Sequence, residues 1–341
     1  MHKRFNPATN ENRLPHGELE PLTADAVFKI ILVYYVISVI VFLSGYLFPA
    51  QTHLVTYVPI LLSILLLVPL YIWQRNYRKK TELTKEPVMK DKSMTLFSIF
   101  ALFALALSIR IPSVLVFGMP YEKTPMVFLL VLTMLVIEKT DLSFFGFKTE
   151  KLAKSHLYGL ACFIILAGLT LLIQYALIFV FVKQMPVQSF DVNSALLTFP
   201  FMTLCVGISE EALFRGYIQT HLERFYTSKQ AILTQAILFG GWHFVWNLSP
   251  FSPIGMIQYV ATTFLIGLIF GYFYSKTRNL IPLIFAHGLW DSIPPWIIEN
   301  TQAMNHFGTF PWYDQALVLI LPFAISAIAT VIFTKYVVKE I

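Results

Sequence analysis

Three groups of ionisable residues interrupt long apolar stretches in the C-terminal half of the sequence. Their members are Glu210, Glu211, Arg215, His243, His287 and Asp291. Carboxylates and imidazoles can hold and deprotonate a water molecule, and the same side chains bind divalent metal ions. An ionisable group at the centre of a bilayer costs about 2.5–3.5 kcal/mol, so such groups usually pair or line a cavity. The residue types therefore predict a buried site with hydrolytic or metal-binding chemistry.

Helical spacing brings these groups onto faces that can meet. Residues four apart share one face of a helix, so Glu211 can form an ion pair with Arg215. The same spacing places His287 and Asp291 on one face of a later helix. Glu210 is rotated by about 100° from its neighbour and can face elsewhere. Packing of these faces would gather the carboxylates and imidazoles around one point.

The second group lies in a stretch with small residues beside it. Phe239, His243 and Asn247 form one predicted helical stripe, with Gly240 and Gly241 next to it. Glycines at a helix interface let a neighbouring helix approach closely. We therefore expect His243 to face the predicted site, and Asn247 either to line the cavity or to bond to another helix.

The elements that position these residues are predicted to be membrane-spanning helices. Apolar residues make up 57% of the 341-residue chain and charged residues 13%, whereas soluble domains carry about 25% charged residues. This composition excludes soluble, disordered and coiled-coil proteins. Cys162 and Cys205 lie inside apolar runs, which excludes a disulfide framework. We expect an all-α polytopic transmembrane bundle of about eight to ten spans, with its catalytic site in the C-terminal half.

Ten apolar segments are candidates for these spans. They cover residues 26–48, 54–73, 94–109, 125–137, 157–182, 195–220, 230–248, 254–275, 280–298 and 315–335. The third and fourth segments are short, which leaves eight as the alternative number. After the third segment, Arg110 and Pro112 predict a helix end or a re-entrant turn. We expect Arg110 to mark the membrane boundary.

Four parts follow from this segmentation. Residues 1–25 form a polar tail without a cleavable signal peptide, and residues 26–154 form the N-terminal transmembrane helices. Residues 155–300 form the catalytic helical core, and residues 301–341 form an outer loop and a C-terminal helix.

The distribution of basic residues predicts the orientation in the membrane. The loop from Arg75 to Lys92 carries seven basic residues, and the positive-inside rule places it in the cytoplasm. Both termini then lie inside, while Pro49–His53 and Ser249–Pro253, which carry no charged residue, lie outside. The net charge of +6 thus reflects topology and not nucleic-acid binding. We expect a multi-pass integral membrane protein that contacts the bilayer.

The three groups also form a known set of motifs. In chain order they are Glu210-Glu211-x-x-x-Arg215, with Gly216 after the arginine, Phe239-x-x-x-His243 and His287-x-x-x-Asp291. The sequence therefore resembles the CPBP (Abi-type) intramembrane proteases, which include CAAX prenyl endopeptidases and bacteriocin-immunity proteins. The resemblance covers about residues 155–300. The residues before them resemble the family only in being membrane-spanning.

The resemblance implies a role for each motif residue. Glu210 is the expected general base on a water that attacks the scissile carbonyl, and His243 is the expected second contact to that water. Glu211 is expected to pair with Arg215 and to orient the site. At the last position some family members carry Asn, whose amide can donate to the developing oxyanion. Ionised Asp291 cannot donate, so we expect it to fix the tautomer of His287 or to bind a metal.

The resemblance leaves the cofactor open between two alternatives. Glu210, His243 and His287 could bind a divalent metal such as Zn²⁺, with water as the fourth ligand. The same residues fit a metal-free mechanism in which glutamate acts on the water.

Three functions are weighed on this basis. The first is an intramembrane endopeptidase that cleaves a membrane-associated or prenylated peptide with a water activated by Glu and His. The alternative is a non-catalytic membrane regulator or bacteriocin self-immunity protein of the same fold. A transporter is disfavoured because the sequence has no inverted repeat and its buried charges lie mostly in one half.

Overall fold

The protein is described here by a computed structural model that covers residues 91–115, 124–138, 140–184, 192–293 and 302–341, with five single positions between 29 and 40. Within this part the chain is helical, and it includes an isolated bridge between Leu248 and Phe251. The prediction of an all-α fold is therefore confirmed.

Two predictions fall on other parts of the chain. The polar tail 1–25 and the basic loop up to residue 90 lie outside the described residues, as do nearly all positions of the first two apolar segments. The four-part division of the chain and the total number of spans stay predictions.

Nine helices, numbered here in chain order, form the described part. They are α1 (Lys92–Leu115), α2 (Thr124–Ile137), α3 (Leu152–Val182), α4 (residues 192–222), α5 (Ser228–Trp242), α6 (Pro253–Thr277), α7 (Ile281–Ser292), α8 (Gln302–Phe307) and α9 (Trp312–Tyr336). Each of the eight predicted apolar segments from 94–109 onward overlaps one of them. Short 3₁₀-helices at Leu142–Phe145 and Phe244–Asn247 lie in the connections before α3 and after α5.

Five of the described helices, α1, α3, α4, α6 and α9, are long and apolar enough to cross a membrane. Helices α2, α5 and α7 have 14, 15 and 12 residues and pack among the longer ones. The outer surface of α9 exposes large apolar side chains, among them Ile320, Ile328 and Ile332. Such surfaces mark contact with lipid or a partner. The chain is an integral membrane protein.

Helix α4 lies at the centre of the bundle. In its apolar stretch 61% of the residues are buried, against 22% to 33% in the other four long helices. Side chains of α4 are therefore shielded from lipid by their neighbours, which makes this helix a suitable carrier for ionisable groups.

The backbone of α4 departs from regular α-helical geometry around the first motif. Two π-helical segments, Met202–Gly207 and Ala212–Gln219, flank the α-helical turn Ile208–Glu211. Because π turns bond from residue i to i+5, they change the direction in which the following side chains point, and they are frequent at functional sites.

Helix α1 continues through the segment that the sequence predicted to be a helix end. It runs to Leu115 with Pro112 inside it. Proline is tolerated in membrane helices because neighbouring groups satisfy the freed backbone atoms. Arg110 is consequently only 1% exposed and points into the bundle. The prediction of a helix end or a re-entrant turn was wrong, whereas the position of Arg110 relative to the membrane boundary stays a prediction.

Helix α5 ends earlier than the predicted stripe requires. His243 is its C-terminal cap, with φ −94° and ψ −1°, and the 3₁₀-helix follows directly. Asn247 therefore does not continue the stripe, and its side chain lies against Gly255. The expected close approach occurs at Gly240, where a Cβ atom would lie 2.9 Å from the Val260 oxygen of α6. At Gly241 no described atom would lie within 4 Å of a Cβ.

Candidate active site

The carboxylate of Glu210 is held at one oxygen by a hydrogen bond and an ion pair from two other helices. Trp242 donates its indole N–H to Glu210 Oε1 over 2.8 Å. The Arg110 guanidinium lies 3.5 Å from the same oxygen and 4.4 Å from the Trp242 ring. Glu210 itself is 2% exposed. This arrangement fixes the carboxylate and leaves Oε2 as the oxygen that faces the histidines.

The neighbouring carboxylate of Glu211 has a different set of partners, as the helical rotation predicts. Arg215 donates to Glu211 Oε1 over 2.9 Å, and both side chains are fully buried. His287 Nδ1 lies 2.8 Å from the same oxygen. Because an ionised carboxylate only accepts hydrogen bonds, Nδ1 of His287 carries the hydrogen. The predicted Glu211–Arg215 pair is confirmed, and it also orients the imidazole of His287.

The second oxygen of Glu210 faces both imidazoles. His243 Nε2 lies 3.8 Å and His287 Nε2 lies 3.9 Å from Glu210 Oε2. His243 Nδ1 lies 2.8 Å from the carbonyl oxygen of Phe239, which can only accept, so this nitrogen carries the hydrogen. In neutral His243 the lone pair of Nε2 therefore points towards Glu210. Two acceptors at this separation can share the two hydrogens of one water molecule.

Asp291 lies at the edge of the site. Its Oδ2 atom is 3.4 Å from His287 Nε2, and its side chain is 24% exposed, against 8% for His287. His287 thus has a carboxylate beside each ring nitrogen. The tautomer-fixing contact that we expected from Asp291 is made more closely by Glu211.

These side chains border a small polar cavity of about 50 Å³. It is lined by Arg110, Val206, Glu210, His243, Trp246, Tyr259, His287 and Asp291. A water molecule needs about 10–15 Å³ of such space, so the cavity has room for a few waters. The carboxylate and imidazoles predicted from the sequence thus lie around a space that can hold water.

Close packing of α4 against α7 brings His287 to the glutamates. At Gly288 a Cβ atom would lie 2.8 Å from Thr203 Cα of α4. At Gly207 a Cβ would lie 2.9 Å from the Ile284 oxygen and 3.6 Å from His287 Cβ. Each helix thus presents a glycine to the other, and the backbones approach more closely than side chains would allow.

The structure brings all six predicted site residues together and adds others that the sequence did not single out. These are Arg110, which was interpreted as a boundary residue, and Trp242. Trp242 is fully buried and hydrogen-bonded to Glu210. An arginine inside an apolar run was the available signal for Arg110, because such residues usually face a polar partner.

A second buried polar cluster lies towards the end of α4. Glu138 accepts hydrogen bonds from Tyr217 over 2.8 Å and from His221 over 2.9 Å. His221 is fully buried and stacks on Phe145. These groups satisfy one another and do not line the polar cavity next to His243. The cluster ties the end of α2 to α4.

The side chains of the site are of the types that bind metals, but their spacing is wider than a bound metal requires. Within the described residues, no three His, Cys, Asp or Glu side chains form a ready metal site. Tetrahedral zinc, with bonds of about 2.0–2.1 Å, separates its ligand atoms by roughly 3.4 Å. Glu210 Oε2 is 3.8–3.9 Å from the two histidine nitrogens, so these distances would have to shorten by a few tenths of an ångström for zinc to bind. The contact between His287 and Glu211 is the carboxylate–histidine support that zinc ligands commonly have.

The fold and the site together define a helical membrane protein with a glutamate–histidine site inside the bundle. Residues 192–293 match the family described as type II CAAX prenyl endopeptidase Rce1-like. This match confirms, for that segment, the resemblance to the CPBP intramembrane proteases. All six predicted site residues lie within the matched segment, whereas Arg110 lies outside it.

A curated relative matches a similar length of chain. Over 93 residues the chain is 33% identical to the uncharacterized protein YpbD of Bacillus subtilis (strain 168). The aligned part covers 27% of this chain and 41% of YpbD, so the chain spans less than half the length of that relative. No solved structure matches the chain.

Proposed function

We propose that this protein is an intramembrane endopeptidase that hydrolyses a peptide bond of a membrane-associated peptide. The observation that supports this most directly is the position of Glu210 Oε2, which faces the Nε2 atoms of His243 and His287 at the wall of a water-sized cavity. A carboxylate and an imidazole around one water form the arrangement that general-base hydrolysis requires.

In the proposed reaction a water in the cavity donates one hydrogen to Glu210 Oε2 and the other to His243 Nε2. Its oxygen attacks the scissile carbonyl, and Glu210 takes up the proton. The tetrahedral intermediate then expels the amine, which receives the proton from Glu210. The products are a carboxylic acid and a free amine, and Glu210 is restored as a carboxylate.

The surrounding groups hold this arrangement in place. Glu211 and Arg215 neutralise each other in the interior and fix the ring of His287 through Nδ1. His287 Nε2 then faces the cavity, where it can contact the water or the developing oxyanion. A bound divalent ion would be held by Glu210, His243 and His287 and would polarise the water or the carbonyl.

The substrate proposal rests on an apolar groove beside the site. The groove has a volume of about 660 Å³ and runs between α5 and α6. It is lined by Ile237, Gly241, Phe244, Met256, Ile257, Val260, Ala261 and Phe264. Because Gly241 and Phe244 flank His243 in the chain, a prenyl group in this groove would hold its peptide next to the catalytic cavity.

The test is cleavage of two matched peptides by the full-length protein in detergent. One peptide carries a C-terminal farnesylated cysteine motif, and the other has the same sequence without the lipid. We expect cleavage by the wild type, with preference for the farnesylated peptide, and none by Glu210→Gln. Lack of cleavage of both peptides by the wild type would contradict the proposal. If the wild type and Glu210→Gln bind the peptide equally well and neither cleaves it, the result would favour a non-catalytic regulator.

A further inference from the structure

Arg110 stands out among the residues of the cavity because it comes from α1, outside the segment that matches the peptidase family. It is 1% exposed and lines the same cavity as Glu210, His243 and His287. An arginine buried in a membrane protein usually faces a functional partner. The partner here is the carboxylate of Glu210.

The position of Arg110 is fixed by two tryptophans. Its guanidinium lies 4.4 Å from the ring centre of Trp242 and 5.8 Å from that of Trp246. Cation–π contacts of this kind orient a guanidinium without consuming its N–H groups. Trp242 in turn donates to Glu210 Oε1, the oxygen that Arg110 approaches to 3.5 Å. Arg110, Trp242 and Glu210 therefore form a closed set of contacts across three helices.

The charges of the site also require a cation at this place. Glu210, Glu211 and Asp291 contribute three carboxylates, and Arg215 lies against Glu211 at 2.9 Å. Arg110 supplies the second guanidinium, directly beside Glu210. A buried carboxylate without a compensating charge or hydrogen bonds is unfavourable.

From these contacts we propose that Arg110 is a positioning residue for the general base. It holds Oε1 of Glu210 together with Trp242, so that Oε2 stays directed at the water between the two histidines. This inference rests on the proposed peptidase function and extends it, because it makes α1 a required part of the active site. The segment 192–293 alone then lacks one of the groups that the reaction uses.

Three variants of the full-length protein in detergent test this assignment. Arg110→Gln removes the charge, Arg110→Lys keeps it, and Ser108→Ala is the matched control at an exposed position of the same helix. With the peptide that the wild type cleaves, we expect Arg110→Gln to lower kcat about 10- to 100-fold with an unchanged KM. Arg110→Lys should recover part of the loss, because lysine retains the charge but not the planar geometry. Ser108→Ala should match the wild type.

A binding measurement separates positioning from substrate contact. Peptide affinity is measured for Glu210→Gln and for the double variant Glu210→Gln/Arg110→Gln. Equal affinities are expected if Arg110 acts through Glu210. A raised KM, or weaker binding by the double variant, would instead make Arg110 a substrate-binding residue and overturn the assignment.

Stability and activity distinguish the remaining outcomes. Wild-type kcat in Arg110→Gln, with Glu210→Gln inactive, would refute this inference and leave the proposed function intact. If Arg110→Gln and Arg110→Lys lose kcat to the same extent and both have a lowered melting temperature, Arg110 is a structural residue and not a positioning residue. If the wild type cleaves neither peptide, the proposed function fails and this inference fails with it.

Discussion

His287 Nδ1 and Arg215 Nη1 both bind the same oxygen of Glu211, at 2.8 Å and 2.9 Å. Through this shared oxygen, the intrahelical ion pair of α4 orients an imidazole on α7. Glu210, one residue earlier, makes none of these contacts and instead faces the cavity. Adjacent glutamates therefore have separate partners, and in the proposed reaction only Glu210 acts on the water.

The first prediction compares glutamine substitutions of the two glutamates. Glu210→Gln preserves volume and keeps an oxygen beside Trp242 and the Arg110 guanidinium, which borders the polar cavity, but it removes the proton acceptor. We therefore expect a folded protein whose turnover is reduced by about 10²-fold or more. Glu211→Gln leaves the buried charge of Arg215 without its partner, which costs about 3–5 kcal/mol. We therefore expect Glu211→Gln to lose melting temperature as well as activity. Both are measured side by side on protein purified in detergent.

The opposite pattern would exchange the two roles. A Glu210→Gln protein that cleaves at the wild-type rate shows that Glu210 is not the base. A Glu210→Gln protein that unfolds, beside a stable and inactive Glu211→Gln protein, makes Glu211 the base.

The second prediction concerns the close contact of α4 and α7. In Gly288→Ala the new methyl group would meet the Thr203 backbone at 2.8 Å, so the helices must separate. We expect a loss of about 1–3 kcal/mol in stability from overpacking. Activity should fall too, because His287 moves with α7. The matched control for melting temperature is Gly241→Ala, where no described atom lies within 4 Å of the new group. Equal melting temperatures for both variants would contradict the packing argument.

The third prediction tests the departure of Asp291 from the asparagine found in related proteins. Glu211 already holds the His287 ring at Nδ1, and Asp291 contacts Nε2 at a longer distance of 3.4 Å. We therefore expect Asp291→Asn to lower kcat/KM by about 10-fold or less. His287→Ala should lose far more activity and serves as the comparison. A loss in Asp291→Asn as large as that in His287→Ala would show that the carboxylate charge itself is needed.

Much of the site could be predicted from the sequence because its signals are local. Helical spacing predicted the pair of Glu211 and Arg215, and the order of the three motifs predicted that the histidines would meet the glutamates. The length and apolar character of the segments predicted the helices from α1 to α7 and α9. These features depend on residues close together in the chain.

The contribution of α1 could not be predicted in the same way. Arg110 beside Pro112 has the local character of a helix end, and only packing against α4 and α5 shows that the helix continues and buries the arginine. The end of α5 at Trp242 was missed for a related reason. The apolar sequence continues through the 3₁₀-helix and gives no local signal for the end, whereas the partners of His243, Tyr259 of α6 and Glu210 of α4, are far away in the chain.

The fourth prediction distinguishes the two cofactor alternatives. If Glu210, His243 and His287 bind zinc, purified protein should contain about one equivalent per chain, and His243→Ala should lose metal and activity together. Metal content is measured by elemental analysis before and after dialysis against a strong chelator. Full cleavage by the metal-depleted protein would decide for the glutamate mechanism. Loss of cleavage that zinc restores would decide for the metal.

The last prediction concerns orientation in the membrane, because basic residues gather at one end of the bundle. Lys92 lies 4.3 Å above the Tyr226 ring, Lys148 is 3.4 Å from Glu340, and Arg278 pairs with Glu223. These contacts join the start of α1, the turns after α4 and α6, and the end of the chain. The positive-inside rule places this end in the cytoplasm.

Single cysteines at the two ends of α5 test this orientation in a background from which Cys162 and Cys205 have been removed. Ser228 and Ser249 are both exposed, and they lie on either side of α5 and the 3₁₀-helix. A membrane-impermeant maleimide should label Ser249→Cys in intact cells and Ser228→Cys only after permeabilisation. The reverse labelling would invert the topology. Since α5 and α7 start at the basic end and carry His243 and Asp291 near their other ends, the result also identifies the membrane face nearer to the catalytic cavity.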